Sequence, residues 1–173
     1  MSEVRKSDPN KEAFFFIDTE YAYTCCRRYH RLPNYYAILG MMDQHYPMNR
    51  KIAYIIGNRG RKKPLGDFLI KSGVDFLSYL DYRRCSKMEV AGAAIAIDVA
   101  NRIAEGRHNC QFCFLTGDDY AIPIIEHLNH LNIMPVIYYF PTIFQMDLAS
   151  MKTCEFVQMS SAHMTYIKDS DGN

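Results

Sequence analysis

An α/β three-layer sandwich on a mainly parallel five-stranded sheet, in the order 3-2-1-4-5, is the fold this sequence predicts. Three observations carry that expectation. Short β-rich runs alternate with longer stretches at helical spacing, the pattern of β-α-β units that stack a parallel sheet between helices. At 173 residues the chain suits one domain with a substantial core. No internal repeat or linker divides it. In such a sheet the chain starts centrally, winds outward one way, and returns to wind the other way. Ligands then bind beyond the carboxyl ends of the strands where the order reverses, here between the first and fourth strands.

The elements follow in order. AFFFID (13–18) is an apolar strand ending in Asp18. LPNYYAILGMMDQHY (32–46) begins with proline near a first turn and places Tyr36, Leu39, Met42 and Tyr46 near one face of a helix. KIAYIIG (51–57) is the second strand, PLGDFLIKSG (64–73) a short helix stopped by glycine, and VDFLSYL (74–80) the third strand. An alanine-rich helix spans 87–106, QFCFLT (111–116) is the fourth strand, AIPIIEHLNHL (121–131) a helix and MPVIYYF (134–140) the fifth strand. A helix over 143–151 and an extended piece, CEFVQM (154–159), close the chain. The expected organisation is a flexible segment over 1–12, a domain over 13–160 and a polar tail over 161–173.

Composition narrows the function classes. With 49% hydrophobic and 23% charged residues the chain has an ordinary globular balance, and no apolar run approaches the ~20 residues of a membrane helix. The N-terminus, MSEVRKSDPNKE, lacks the apolar stretch of a signal peptide, so a cytoplasmic or other intracellular location is expected. Six cysteines in a chain of this size without a secretion signal read as reduced thiols. Cys110 and Cys113 have CxxC spacing but fall on a strand, where residues three apart face opposite ways, which argues against a shared zinc or redox site.

The acids and bases are distributed unevenly. Asp18 ends the first strand and Asp118 and Asp119 follow the fourth, so these carboxylates converge on the switch-point crevice. Carboxylates gathered there suit a hard cation, Mg²⁺ or Mn²⁺, that polarises a phosphodiester and activates water. The plainer reading is that an aspartate after a strand caps the next helix. The loops after the first three strands read CCRRYHR, GNRGRKK and DYRRCSK. They carry Arg27, Arg28, Arg31, Arg59, Arg61, Lys62, Lys63, Arg83, Arg84 and Lys87, ten of the 20 Lys and Arg residues. A basic rim around an acidic centre suits a polyanion, and Tyr29, Tyr35 and Tyr36 beside the first loop suit stacking on single-stranded bases.

These stretches resemble a family. FFFIDTEYAY is similar to the first strand of NYN domains, relatives of the PIN-domain nucleases, and FLTGDDYAIPIIEHLNHLNIMPVIYYF to their fourth strand, following helix and fifth strand. The helix KMEVAGAAIAIDVANRIAEG and the segment LASMKTCEFVQM extend the resemblance over roughly 13–160. It implies a metal-dependent nuclease, RNA favoured over DNA as substrate, with Asp18 and Asp118 as ligands of Mg²⁺ or Mn²⁺ and Asp119 beside them. The acidic set departs from the family pattern. Tyr21 stands where an asparagine is frequent, and Gly92 and Tyr120 stand where aspartates are expected, while Asp98 and Asp118 remain. Asp98, Glu89 or Glu20 would be the additional acids. Two functions are therefore expected: a metal-dependent endoribonuclease, or a catalytically silent relative that binds RNA or a protein partner through the same rim. A small-nucleotide enzyme is the weaker third, because no GxxxxGK or GxGxxG loop is present. No membrane partner is expected, and a homodimer is left open.

Overall fold

In a computed structural model the protein is described over residues 10–57, 59–79, 86–142 and 146–166, with the backbone alone described for 59–62, 79, 88 and 146. Its central sheet has six parallel strands in the order β4-β3-β1-β5-β6-β7. These are β1 Ala13–Asp18, β3 Asn49–Ile56, β4 Asp75–Tyr79, β5 Gln111–Leu115, β6 Val136–Tyr139 and β7 Glu155–Gln158. The expected count of five, and the order built on it, are thereby corrected. The missing strand is the CEFVQM segment, which pairs with β6 rather than trailing from it. Phe156 sets its ring at 90° against Tyr139 at 6.2 Å, so the segment covers an apolar edge that would otherwise stay open.

Strand alternation divides the core in two. Ala13, Phe15 and Ile17 of β1 face a layer of helices α1 Thr19–Arg27, α2 Tyr35–His45 and α3 Arg59–Lys71. Phe14 and Phe16 face α4 Lys87–Ala104, α5 Ala121–His130 and α6 Met146–Ala149. Every residue of β1 is buried, as expected for the central strand of a sheet covered on both faces. Phe16 stacks on Phe114 at 5.1 Å, and each fully buried ring contributes roughly 1.5–3 kcal/mol of apolar burial. Cys113 lies in the first core and Cys110 packs against the second, so the CxxC pair is split across the sheet.

Three sequence boundaries move. CCRRYHR is not a loop, since α1 runs through Arg27 and only 28–30 connect it to β2 Arg31–Pro33. Asp18 caps this helix and Tyr21, Ala22, Cys25 and Cys26 form its buried stripe, a helical spacing hidden behind a β-rich run. The second helix begins at Tyr35 with Asn34 as its cap, because Pro33 belongs to β2. GNRGRKK likewise is mostly the first turns of α3, whose Pro64 lies inside the helix. Beyond 160, a 3-10 turn over Ser161–His163 leads to β8 Met164–Tyr166, which pairs antiparallel with β2. The packed unit therefore reaches Tyr166. At its other end Glu12 is held by Arg107 at 3.2 Å and Arg50 at 3.7 Å. Residues 1–9 and 167–173 of the expected end segments lie outside the described residues.

α1 ties the two halves of the sheet together through one phenol. Tyr21 Oη donates to the Phe140 carbonyl at 3.2 Å and accepts from the Phe140 amide at 3.0 Å. Burial, the main cause, raises its pKa and keeps the phenol protonated. Tyr21→Phe strands both backbone groups, and urea denaturation is expected to show a loss of about 1–3 kcal/mol.

Candidate functional site

Asp18 is fully buried at the carboxyl end of β1, in register with Tyr54 of β3. One carboxylate oxygen, Oδ1, accepts from the backbone amides of Glu20 at 3.0 Å and Tyr21 at 2.9 Å, the geometry of a helix N-cap. The other, Oδ2, accepts from Tyr120 Oη at 2.9 Å. A buried carboxylate that meets three donors is held without a metal, because its charge is spread over hydrogen bonds and the N-terminal end of a helix dipole.

Tyr120 follows the TGDD segment and closes the crevice. Its amide donates to Asp118 Oδ1 at 3.4 Å, and its ring lies against Gly92 of α4. A Cβ at position 92 would approach that ring to 2.6 Å, so only glycine admits the tyrosine there. The two positions where the family resemblance expects acids are thus occupied by a ring and the space the ring needs. Burial, then the charge of Asp18, raises the Tyr120 pKa well above its ordinary value of 10.0, so the hydroxyl stays a donor.

The remaining expected acids are dispersed. Asp98 accepts from Tyr54 Oη at 2.7 Å and pairs with Arg102 at 3.4 Å, deeper along α4. Glu20 is buried in the first turn of α1, its amide bound to Asp18. Glu89 is exposed and completes a capping box with Ser86, whose backbone amide donates to it at 2.6 Å and holds its pKa below the usual range. Asp118 and Asp119 are half-buried above the crevice, and Asp119 Oδ1 has no hydrogen-bond partner among the described residues. No three His, Cys, Asp or Glu among the described residues come together in a group that could hold a metal ion. The Tyr120 hydroxyl occupies one lone pair of Asp18 Oδ2, on the side of the carboxylate that faces the crevice.

The basic rim is only partly on view. Arg83 and Arg84 lie outside the described residues, as do the side chains of Arg59, Arg61 and Lys62. Lys63 pairs with Asp67 at 2.7 Å along α3, and Lys87 is exposed at the start of α4. Arg27 and Arg28 sit at the far end of α1, roughly 13 Å along its axis from Asp18. That end still overhangs the carboxyl rim, where Arg28 donates to the Thr142 carbonyl at 3.4 Å. Arg31 lies over the ring of Tyr166 at 4.3 Å and donates to its hydroxyl at 2.8 Å. Beside them a pocket of about 360 Å³ opens between Tyr29, Arg31, Pro141, Gln158 and Ser160. Tyr35 is no stacking platform, as its hydroxyl is buried, whereas Tyr29 and Tyr166 are 49% and 74% exposed.

Burial raises the thiols of Cys26 and Cys154 to about 12 and about 11, which leaves little thiolate for chemistry at neutral pH. Tyr120, Tyr54 and Tyr166 are the site residues that sequence reasoning missed. For Tyr120 a signal existed, because glycine and tyrosine replace two acids together. The class the fold defines is an α/β protein with a doubly wound, mainly parallel sheet. Compared with protein-family models, with curated proteins and with solved structures, the chain matches none.

The reciprocal fit of Tyr120 and Gly92 has a measurable sign. In an open helix Gly→Ala stabilises by up to about 1 kcal/mol, but here Gly92→Ala is expected to destabilise by about 1–3 kcal/mol through overpacking. Combined with Tyr120→Ala, it should cost less than the two single changes added together, as read from denaturation midpoints.

Proposed function

We propose that this protein is a catalytically silent relative of the NYN-type nucleases that binds single-stranded RNA along the carboxyl rim of its sheet. The observation that carries this reading is the Tyr120 phenol on Asp18, with its ring in the space left by Gly92. Catalysis by metal-activated water needs carboxylate oxygens open to a cation and room for a scissile phosphate. Here the central carboxylate is buried and accepts three hydrogen bonds, and the neighbouring volume holds an aromatic ring.

The choice of RNA rests on the other end of α1. Tyr29 and Arg31 line a pocket with room for a nucleobase, and the exposed Tyr166 ring lies against the Arg31 guanidinium beside it. Base stacking on such platforms contributes about 1–3 kcal/mol per base and tolerates sequence variation. Gln158 and Ser160 supply polar groups at the pocket wall. Arg27 and Arg28 lie one turn earlier and suit backbone phosphates.

Fluorescence anisotropy with a labelled single-stranded RNA tests this directly. Binding is expected to be equal in Mg²⁺ and in chelator, to weaken with salt, and to fall about tenfold or more in Tyr29→Ala with Arg31→Ala. No cleavage product should form with Mg²⁺ or Mn²⁺. Metal-dependent cleavage lost in Asp18→Asn with Asp118→Asn would establish the nuclease instead, and absence of RNA binding would turn the rim toward a protein partner.

A further inference from the structure

α4 is amphipathic in an unusual sense, since both of its faces are apolar. Ala91, Ala94, Ile95 and Val99 are buried against the sheet. On the outward side Val90, Ala93, Ile97, Ala100 and Ala104 follow one another at spacings of three, four, three and four residues. That is the a/d spacing of a helix seam, which continues down one side of a helix and calls for a second helix against it. Ala93, Ala100 and Ala104 are exposed, and Ile97 is 64% exposed at the middle of the row. None of the five carries charge. Alongside, a cavity of about 400 Å³ with apolar walls runs between α4 and α5, bounded by Ala93, Ala96, Pro123 and His127.

We infer that this face is a dimer interface, in which α4 packs antiparallel against α4 of a second copy across a two-fold axis at Ile97. The row is close to symmetric about that residue, with members seven and four residues before it and three and seven after it. An antiparallel two-fold sets Ile97 against its own counterpart, Val90 level with Ala104 of the partner, and Ala93 within about 1.5 Å of Ala100 of the partner along the axis. The bulky centre flanked by alanines lets the helix backbones approach closely on both sides.

The charges at the helix ends favour this arrangement, with Glu105 also 3.5 Å from Arg102 of its own chain. Lys87 and Glu105 are 18 residues apart, five full turns, and so lie on the same flank of the seam at opposite ends. An isologous antiparallel pair brings like flanks together, which places Lys87 within about 3 Å of Glu105 of the partner along the axis, twice per dimer. A parallel pair would oppose Lys87 to Lys87 and Glu105 to Glu105. Self-complementary charge at both ends of an uncharged seam fits a second copy better than an unrelated partner. The dimer leaves the Tyr29 and Arg31 rim open, because that rim lies on the other side of the sheet.

Sedimentation equilibrium of the full chain across a concentration series tests the interface. The wild type is expected to dimerise reversibly, and Ile97→Glu to remain monomeric with an unchanged circular dichroism spectrum. Ile97→Cys should form a covalent dimer under mild oxidation, whereas Ser72→Cys on the opposite helical layer should not. A monomeric wild type at tens of micromolar, a dimer that survives Ile97→Glu, or an Ile97→Cys chain that does not cross-link would each overturn the inference.

Discussion

Everything at the carboxyl edge of this sheet depends on how one buried negative charge is satisfied. Asp18 terminates the central strand with no solvent contact, and a carboxylate there without partners would cost several kcal/mol in desolvation. Two amides from α1 and one phenol from the TGDD loop meet it. The bonds do more than neutralise the residue. The amides set the start of α1, and the phenol draws the loop after β5 across the crevice toward α4. Thr19, next in the chain, fixes the neighbouring strand by donating to the Tyr54 carbonyl at 2.6 Å. Tyr54 in turn holds Asp98. Asp18 and Asp98 are therefore woven into a frame of tyrosine hydroxyls that joins β1, β3, α4 and the β5 loop.

That frame explains why a site rich in aspartate need not be a site for metal. A cation and a tyrosine hydroxyl compete for the same lone pairs, and the protein supplies the hydroxyl from within. Its ring also needs volume, and Gly92 provides it. Changing one of the two positions alone leaves either a clash or a void, so the pair acts as a single structural unit. Beyond the other end of α1 the Tyr29 and Tyr166 phenols are exposed, with the Arg31 guanidinium over the Tyr166 ring.

The layered α/β plan was legible in the sequence because β1, β3, β5 and β6 each carry a continuous apolar stretch, the mark of strands covered on both faces. Other elements escaped because their signals are local and ambiguous. α1 reads as a loop when Asp18 is taken as a ligand rather than a cap, although Tyr21, Ala22, Cys25 and Cys26 keep helical spacing. β7 is short and half-buried, so neither alternation nor length marks it as a partner of β6. Within the site, the convergence of Asp18 with the TGDD loop followed from topology, whereas the hydrogen bond from Tyr120 to Asp18 spans 102 residues and belongs to tertiary packing alone.

The small sheet of β2 and β8 gives the rim around Tyr29 a temporal character. Its two strands are joined at Arg31 and Tyr166, across most of the chain, by only three residue pairs. A contact so distant in sequence and so short forms late, after the six-stranded sheet has brought its ends within reach. The wall of the Tyr29 pocket is thus among the last parts of the molecule to assemble. By the same token it opens at less free energy than the core. The Tyr29 rim can therefore open while the tyrosine frame beneath it stays shut.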